Sequence, residues 1–208
     1  MSHPSAVRRA PVQARSADRV ARMLDAAAEL LDEVGPEALT TSAIAARAGV
    51  SVGSLYQYFP DKHAVVEALS RRSFARFSAL LDDLPRGDWG RAVDDVIDAY
   101  VSFARDEAGF LVLSFGGPVG VHALDPGDDN NAVVARTLGA VLQVPGLSDD
   151  VLRLAVEVGD AILQLAFRRD PAGDPLLVQE AKTAVRAYLA TKTPLQDFRA
   201  NASFQTGS

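Results

Sequence analysis

The sequence predicts an all-α protein, with a small N-terminal three-helix domain built around a helix-turn-helix and a larger helical domain after it. Three observations lead there. Apolar residues recur at spacings of three and four along most of the 208-residue chain, as they do when one helix face is buried. No stretch sustains the period-two alternation of a strand. Glycine and proline cluster at intervals that suit helix lengths: Gly35-Pro36, Pro85-Arg86-Gly87, Gly116-Gly117-Pro118, Pro126-Gly127, Pro145-Gly146 and Pro171-Ala172-Gly173.

Taken in order, residues 1–15 read as a flexible basic arm, with Pro4, Pro11, Arg8, Arg9 and Arg15. Ser16 is the expected N-cap of the first helix. Val20, Met23, Leu24, Ala27, Leu30, Leu31 and Val34 form its apolar stripe, and Gly35-Pro36 stops it. Thr40-Thr41-Ser42 opens a short second helix with Ile44, Ala45 and Ala48 inward, ended by Gly49. Ser51 caps a third helix that runs to Phe59, and Pro60-Asp61 breaks the chain before a fourth, Lys62 to Leu81. Further helices are expected at 89–106, 108–115, 129–143, 149–168 and 174–191. The expected organisation is an arm (1–15), a helix-turn-helix domain (16–62), a larger helical domain (63–192) and a loose tail (193–208).

Composition narrows the function classes. Hydrophobic residues make up 48% and charged residues 23%, an ordinary globular balance. Cysteine is absent, which excludes disulfides, thiol catalysis and cysteine zinc sites. Apolar runs are too short for a membrane span, and Met1-Ser2-His3-Pro4 lacks the apolar stretch of a signal peptide, so a cytoplasmic protein with no membrane partner is expected. The net charge of −6 is uneven. Residues 1–62 hold seven bases and seven acids, so the deficit falls on the rest, and the first 22 residues hold five arginines against Asp18 alone. A phosphate-binding surface needs only local positive potential.

The segment Ala45-Ala46-Arg47-Ala48-Gly49-Val50-Ser51-Val52-Gly53-Ser54-Leu55 meets the demands of two short helices crossing steeply. Ala45 is small where the backbones meet, Gly49 tolerates positive φ in the turn, and Val50 and Leu55 anchor the second helix. Val52, Gly53, Ser54, Tyr56 and Gln57 are then left outward, small or polar as a DNA groove requires. A plain αα-hairpin satisfies the Ala-x-x-x-Gly spacing equally well. The flanks favour DNA: Thr40-Thr41 lies at a helix N-terminus, where hydroxyls and free N–H groups hold phosphate, and Tyr56, Tyr58 and Lys62 follow within reach of a strand.

The run Ile44-Ala45-x-x-Ala48-Gly49-Val50-Ser51-x-Gly53-x-Leu55-Tyr56-x-Tyr58-Phe59-x-x-Lys62 resembles the N-terminal motif of the TetR family of bacterial regulators. The resemblance spans about 45 residues with the first helix; the remainder resembles the family only in helicity and length. It implies a homodimeric one-component repressor, whose small domain binds double-stranded operator DNA and whose larger domain binds a small effector that releases it. Position by position, it implies that Thr41 contacts phosphate and that Gly53 permits close backbone approach. It gives Val52 and Ser54 outward positions facing bases or backbone, Tyr56, Gln57 and Tyr58 base and phosphate contacts, and Lys62 a phosphate. Val52 departs from the polar residues frequent at its position. Phe59 is expected to seat the reading helix, and the arginine arm either enters a minor groove or is solvated.

In the larger domain, 149–168 is apolar on most sides. Leu152, Ala155, Val156, Gly159, Leu163 and Ala166 form one face, and Val151, Leu154, Val158, Ile162 and Leu165 a second. With Leu177, Ala181, Ala184, Val185 and Tyr188 of the next helix, the first face is the expected contact between two copies; the alternative is an internal core helix. Trp89, Tyr100, Phe103, Phe110, Phe115, His122 and Phe167 are candidate pocket walls, with Asp160 and Gln164 for polarity, although each also reads as ordinary core or surface. A mainly apolar or aromatic effector is expected, with no cofactor and no metal. An enzyme has little support: His3, His63 and His122 show no metal-binding spacing, and Gly-x-Ser-x-Gly is missing. A DNA-binding protein governed by a protein partner, or by no small ligand, fits the helix-turn-helix equally well.

Overall fold

The computed structural model describes residues 10–86, 89–114, 130–142 and 146–192. Among these lie nine helices: α1 (Ala10–Ala38), α2 (Thr41–Arg47), α3 (Val52–Tyr56), α4 (Lys62–Asp82), α5 (Trp89–Asp106), α6 (Phe110–Ser114), α7 (Asn130–Leu142), α8 (Asp149–Arg169) and α9 (Pro175–Ala190). The fold is all-α, and each expected helix has its counterpart.

Helix α1 starts before its expected cap. Pro11 falls in the first turn, where the missing N–H would have had no intrahelical partner, so it opens the helix instead of preventing it. Ser16 is therefore a mid-helix residue, and Arg15 an exposed helical one rather than part of a free arm. The rest of the arm (residues 1–9) and the tail from 193 lie outside the described residues. The helical path breaks at Gly35, whose φ of 76° and ψ of 171° leave the helical region just before Pro36.

The chain divides into two compact units, with the division inside α4 after Arg71 rather than at residue 62. The first unit contains α1, α2, α3, the start of α4 and, by a later return of the chain, α6. Its core is Met23, Leu24, Ala27, Leu31, Ile44, Ala45, Leu55, Phe59, Val65 and Leu69. Val34, expected in the stripe of α1, is instead 49% exposed. The return is held at Gly109, whose N–H donates to Asp32 Oδ2 at 2.9 Å. Gly109 has φ +76°, and a Cβ there would stand 3.2 Å from the Ala28 Cα, so both backbone conformation and close approach select glycine.

In the second unit α8 packs between α7 and α9, and α5 packs on α7 and α9. Val93, Val141, Ala155, Ala166, Ala181 and Leu189 are almost wholly enclosed. Two ion pairs join α5 to α9. Lys182, buried along its stem, reaches Asp98 with its ammonium at 2.6 Å, and Arg186 reaches Asp94 at 2.7 Å. No helix among the described residues is long and apolar enough to cross a membrane.

Candidate nucleic-acid interface and effector pocket

The helix-turn-helix of the first unit is built from backbone capping. Thr40 Oγ1 accepts the Ala43 N–H at 3.1 Å, opening α2. The helix closes in a Schellman arrangement: Gly49 N–H donates to Ala46 O at 3.2 Å and Val50 N–H to Ala45 O at 2.9 Å. Gly49 has φ +67°, and a Cβ there would meet nothing within 4 Å, so the left-handed conformation alone calls for glycine. Ser51 then accepts the Ser54 N–H at 3.1 Å and starts α3. With Ile44, Ala45 and Leu55 fully buried and Phe59 nearly so, the opposite side of α3 faces outward.

That side carries Val52 (38% exposed), Tyr56 (51% exposed), Gly53 and Gln57, with Ser54 half-buried. Thr41 Oγ1 and Tyr56 Oη stand 3.3 Å apart, so the start of α2 and the end of α3 present two hydroxyls side by side. Gly53 has open space where a Cβ would go. Internal packing therefore gives no reason for a glycine that weakens a helix by about 1 kcal/mol. Tyr58 is tied to α1, with Ser16 Oγ donating to its Oη at 3.2 Å. That bond, with the charge of Arg19, holds the phenol below its ordinary pKa. Lys62 has an internal task that sequence reasoning missed: its ammonium donates to the carbonyls of Pro36 and Leu39, each at 3.3 Å, where α1 ends. Arg47, at the surface, bridges Glu33 at 2.7 Å and Glu29 at 3.0 Å of α1, and holds the Glu33 carboxyl below its usual range.

The second unit contains an apolar cavity of about 70 Å³, lined by Phe77, Val93, Val96, Ile97, Tyr100, Asn131, Val134, Leu138, Ala155, Val156, Gly159, Asp160, Leu163 and Val185. Of the candidate walls read from sequence, Tyr100 and Asp160 line it. Phe103 and Phe167 stand behind it, their ring centroids 5.4 Å from Phe77 and 6.4 Å from Tyr100 respectively. Gln164 donates to Asp160 Oδ2 at 2.7 Å. Trp89 sits half-buried at the start of α5 and is not among the described wall residues. Phe110 is corrected: it belongs to the first unit, because α6 returns to α1. Phe115 and His122 lie outside the described residues.

The face of α8 assigned to a partner copy is corrected too. Leu152, Ala155, Gly159, Leu163 and Ala166 are buried within one chain, as are Ala181 and Val185 of α9. Ala155, Val156, Gly159, Leu163 and Val185 are cavity wall. Leu177, Ala184 and Tyr188 are half-buried. The second face of α8 points outward, with Leu154 53%, Val158 36% and Leu165 37% exposed, and Leu176 of α9 is 77% exposed. Spacing marks both faces as apolar, but periodicity does not say which of them meets the chain's own helices. Phe77, on the fourth helix, and Asn131, at an expected helix start, were not among the candidate walls.

A helix-turn-helix with a small, polar outward face, in a chain whose second unit is a helical body with an apolar cavity, defines a class of DNA-binding regulator. Residues 23–69 match the family described as bacterial regulatory proteins, tetR family, and residues 87–193 match the tetracyclin repressor-like C-terminal domain. A TetR-family transcriptional regulator from Streptomyces coelicolor is 35% identical, with a TM-score of 0.70 over 84% of this chain and 99% of that one. The chain belongs to the TetR family and is a one-component DNA-binding transcriptional regulator rather than an enzyme. The repressor KstR of Mycobacterium tuberculosis is 46% identical over 66 residues, 31% of this chain and 30% of that protein. The regulator BetI of Escherichia coli is 37% identical over 81 residues, 37% of this chain and 42% of that protein. The chain thus matches less than half the length of these curated relatives.

Proposed function

We propose that the protein is a dimeric repressor that binds a palindromic operator and is released from it by a small, mainly apolar or aromatic effector. One observation carries the effector half of this reading. Phe77, on the cavity wall, belongs to α4, the same helix that begins at Lys62 beside the reading elements. A cavity of about 70 Å³ holds only a few heavy atoms, so a larger ligand would press on its walls, and through Phe77 on α4. Two reading helices must stand about 34–36 Å apart to enter successive major grooves, so a tilt of α4 changes DNA affinity. The effector shifts the equilibrium only to the extent that it binds the DNA-incompetent state better.

On the DNA side, Thr41, Tyr56, Tyr58 and Lys62 are proposed for phosphate, Gln57 for a base, and Val52, Gly53 and Ser54 for the closest approach. Arg15 of α1 adds positive potential at one edge. Repression as the sign of control rests on the relatives named as repressors. Two copies would pair through the outward faces of α8 and α9.

The test is a thermal-shift screen with lipophilic compounds, followed by DNA-binding assays on an operator selected from random sequence. Hits should lower operator affinity at least about tenfold, roughly 1.4 kcal/mol of coupling. Hits that stabilise the protein without altering DNA affinity would remove the effector-release reading and leave control by a protein partner.

A further inference from the structure

We propose that the effector carries a cationic head, an amine or other ammonium group, on its apolar body, and that Asp160 is the residue that selects it. This rests on the effector-pocket reading above and deepens it. Among the described wall residues, Asp160 has the only carboxylate, set among Val93, Ile97, Leu163 and other apolar side chains. Burial raises its pKa, and the charge among the described residues that acts on it, Glu157 on the preceding turn, is also negative. Two neutral donors already serve the carboxylate: Gln164 Nε2 at 2.7 Å, and the side-chain amide of Asn131 from α7. Among the described residues, what Asp160 lacks is therefore charge compensation rather than a hydrogen bond. A buried carboxylate without an opposite charge is costly, and a ligand cation relieves that cost on binding. Tyr100 and Phe77 line the same space, and their aromatic rings attract a cation as well. An anionic head would instead meet the like charge of the Asp160 carboxylate on the cavity wall.

The experiment uses the full chain and matched probes: phenylalkylamines of increasing length, the phenylalkanols of the same length and the corresponding phenylalkanoates. Titration calorimetry gives affinities for the wild type, Asp160→Asn and Asp160→Glu. The amines should bind the wild type at least about tenfold more tightly than the matched alcohols, and the carboxylates more weakly than either. Asp160→Asn should lose the preference for amine over alcohol while keeping alcohol affinity, which also shows that it folds. Asp160→Glu, which keeps the charge, should retain the preference. Equal affinity for amines and alcohols, or a preference that survives in Asp160→Asn, overturns the cation proposal and leaves the effector pocket standing. If no member of the series binds the wild type, the pocket reading falls, and this proposal with it.

Discussion

At Gly49 a single backbone angle organises the reading surface. Its φ of +67° closes α2 and turns the chain into α3, while the space around it would admit a methyl group. Gly49→Ala should therefore cost about 1–2 kcal/mol through conformation alone. Urea unfolding that shows no loss would mean the turn relaxes to another shape. Asp160 gives a prediction of the opposite sign. Burial raises its pKa above the ordinary 3.8, so between that value and the raised one the folded state binds more protons than the unfolded. Stability is then lost as pH rises through that window, and the penalty persists above it. Asp160→Asn should raise the melting temperature at pH 7, with the advantage shrinking as pH falls below the ordinary carboxylate range. A pH-independent difference would assign the effect to packing. Among the proposed DNA contacts, Tyr58→Phe should weaken binding across all operators alike, whereas Gln57→Ala should relax preference at one position, read by selection from random DNA. Lys62→Ala should weaken DNA binding and also lower stability, since its ammonium holds the carbonyls of Pro36 and Leu39 where α1 ends.

At the scale of the element, α8 has two apolar faces with opposite fates. Its inner face, from Leu152 through Ala166, is covered by α7 and α9. Its outer face, Leu154, Val158 and Leu165, is open within one chain. Leu154→Glu should therefore halve the mass seen by light scattering and leave the helix content unchanged, if two copies pair there. Leu163→Ala should cost about 2–5 kcal/mol and leave the mass alone. The reverse pattern would restore the first assignment of the two faces. Both faces were legible as apolar from spacing, but which of them α9 covers depends on a turn at Asp170–Asp174 that periodicity does not contain. The start of α1 was misread for a more local reason, that Pro11 breaks a helix interior but suits a first turn.

For the whole molecule, α4 is the element common to both units, with its residues up to Arg71 in the first and those from Arg72 in the second. Phe77 is 2% exposed, with its ring centroid 5.7 Å from that of Tyr100. Phe77→Ala should cost about 3–5 kcal/mol of stability. At a temperature where the variant remains folded, ligand binding should persist while release of DNA is lost. A variant that still releases DNA normally would place the coupling elsewhere. The sequence alone determined the helical class, the order of the helices and the outward set on α3, because these follow from spacing, capping residues and glycine chemistry within a few positions. Only the tertiary structure decided that α6 joins the first unit, that Phe77 and Asn131 line the cavity and that the outer face of α8 is the open one. Those facts depend on contacts between residues far apart in the chain, and a local pattern shows that a face must be buried without naming what buries it.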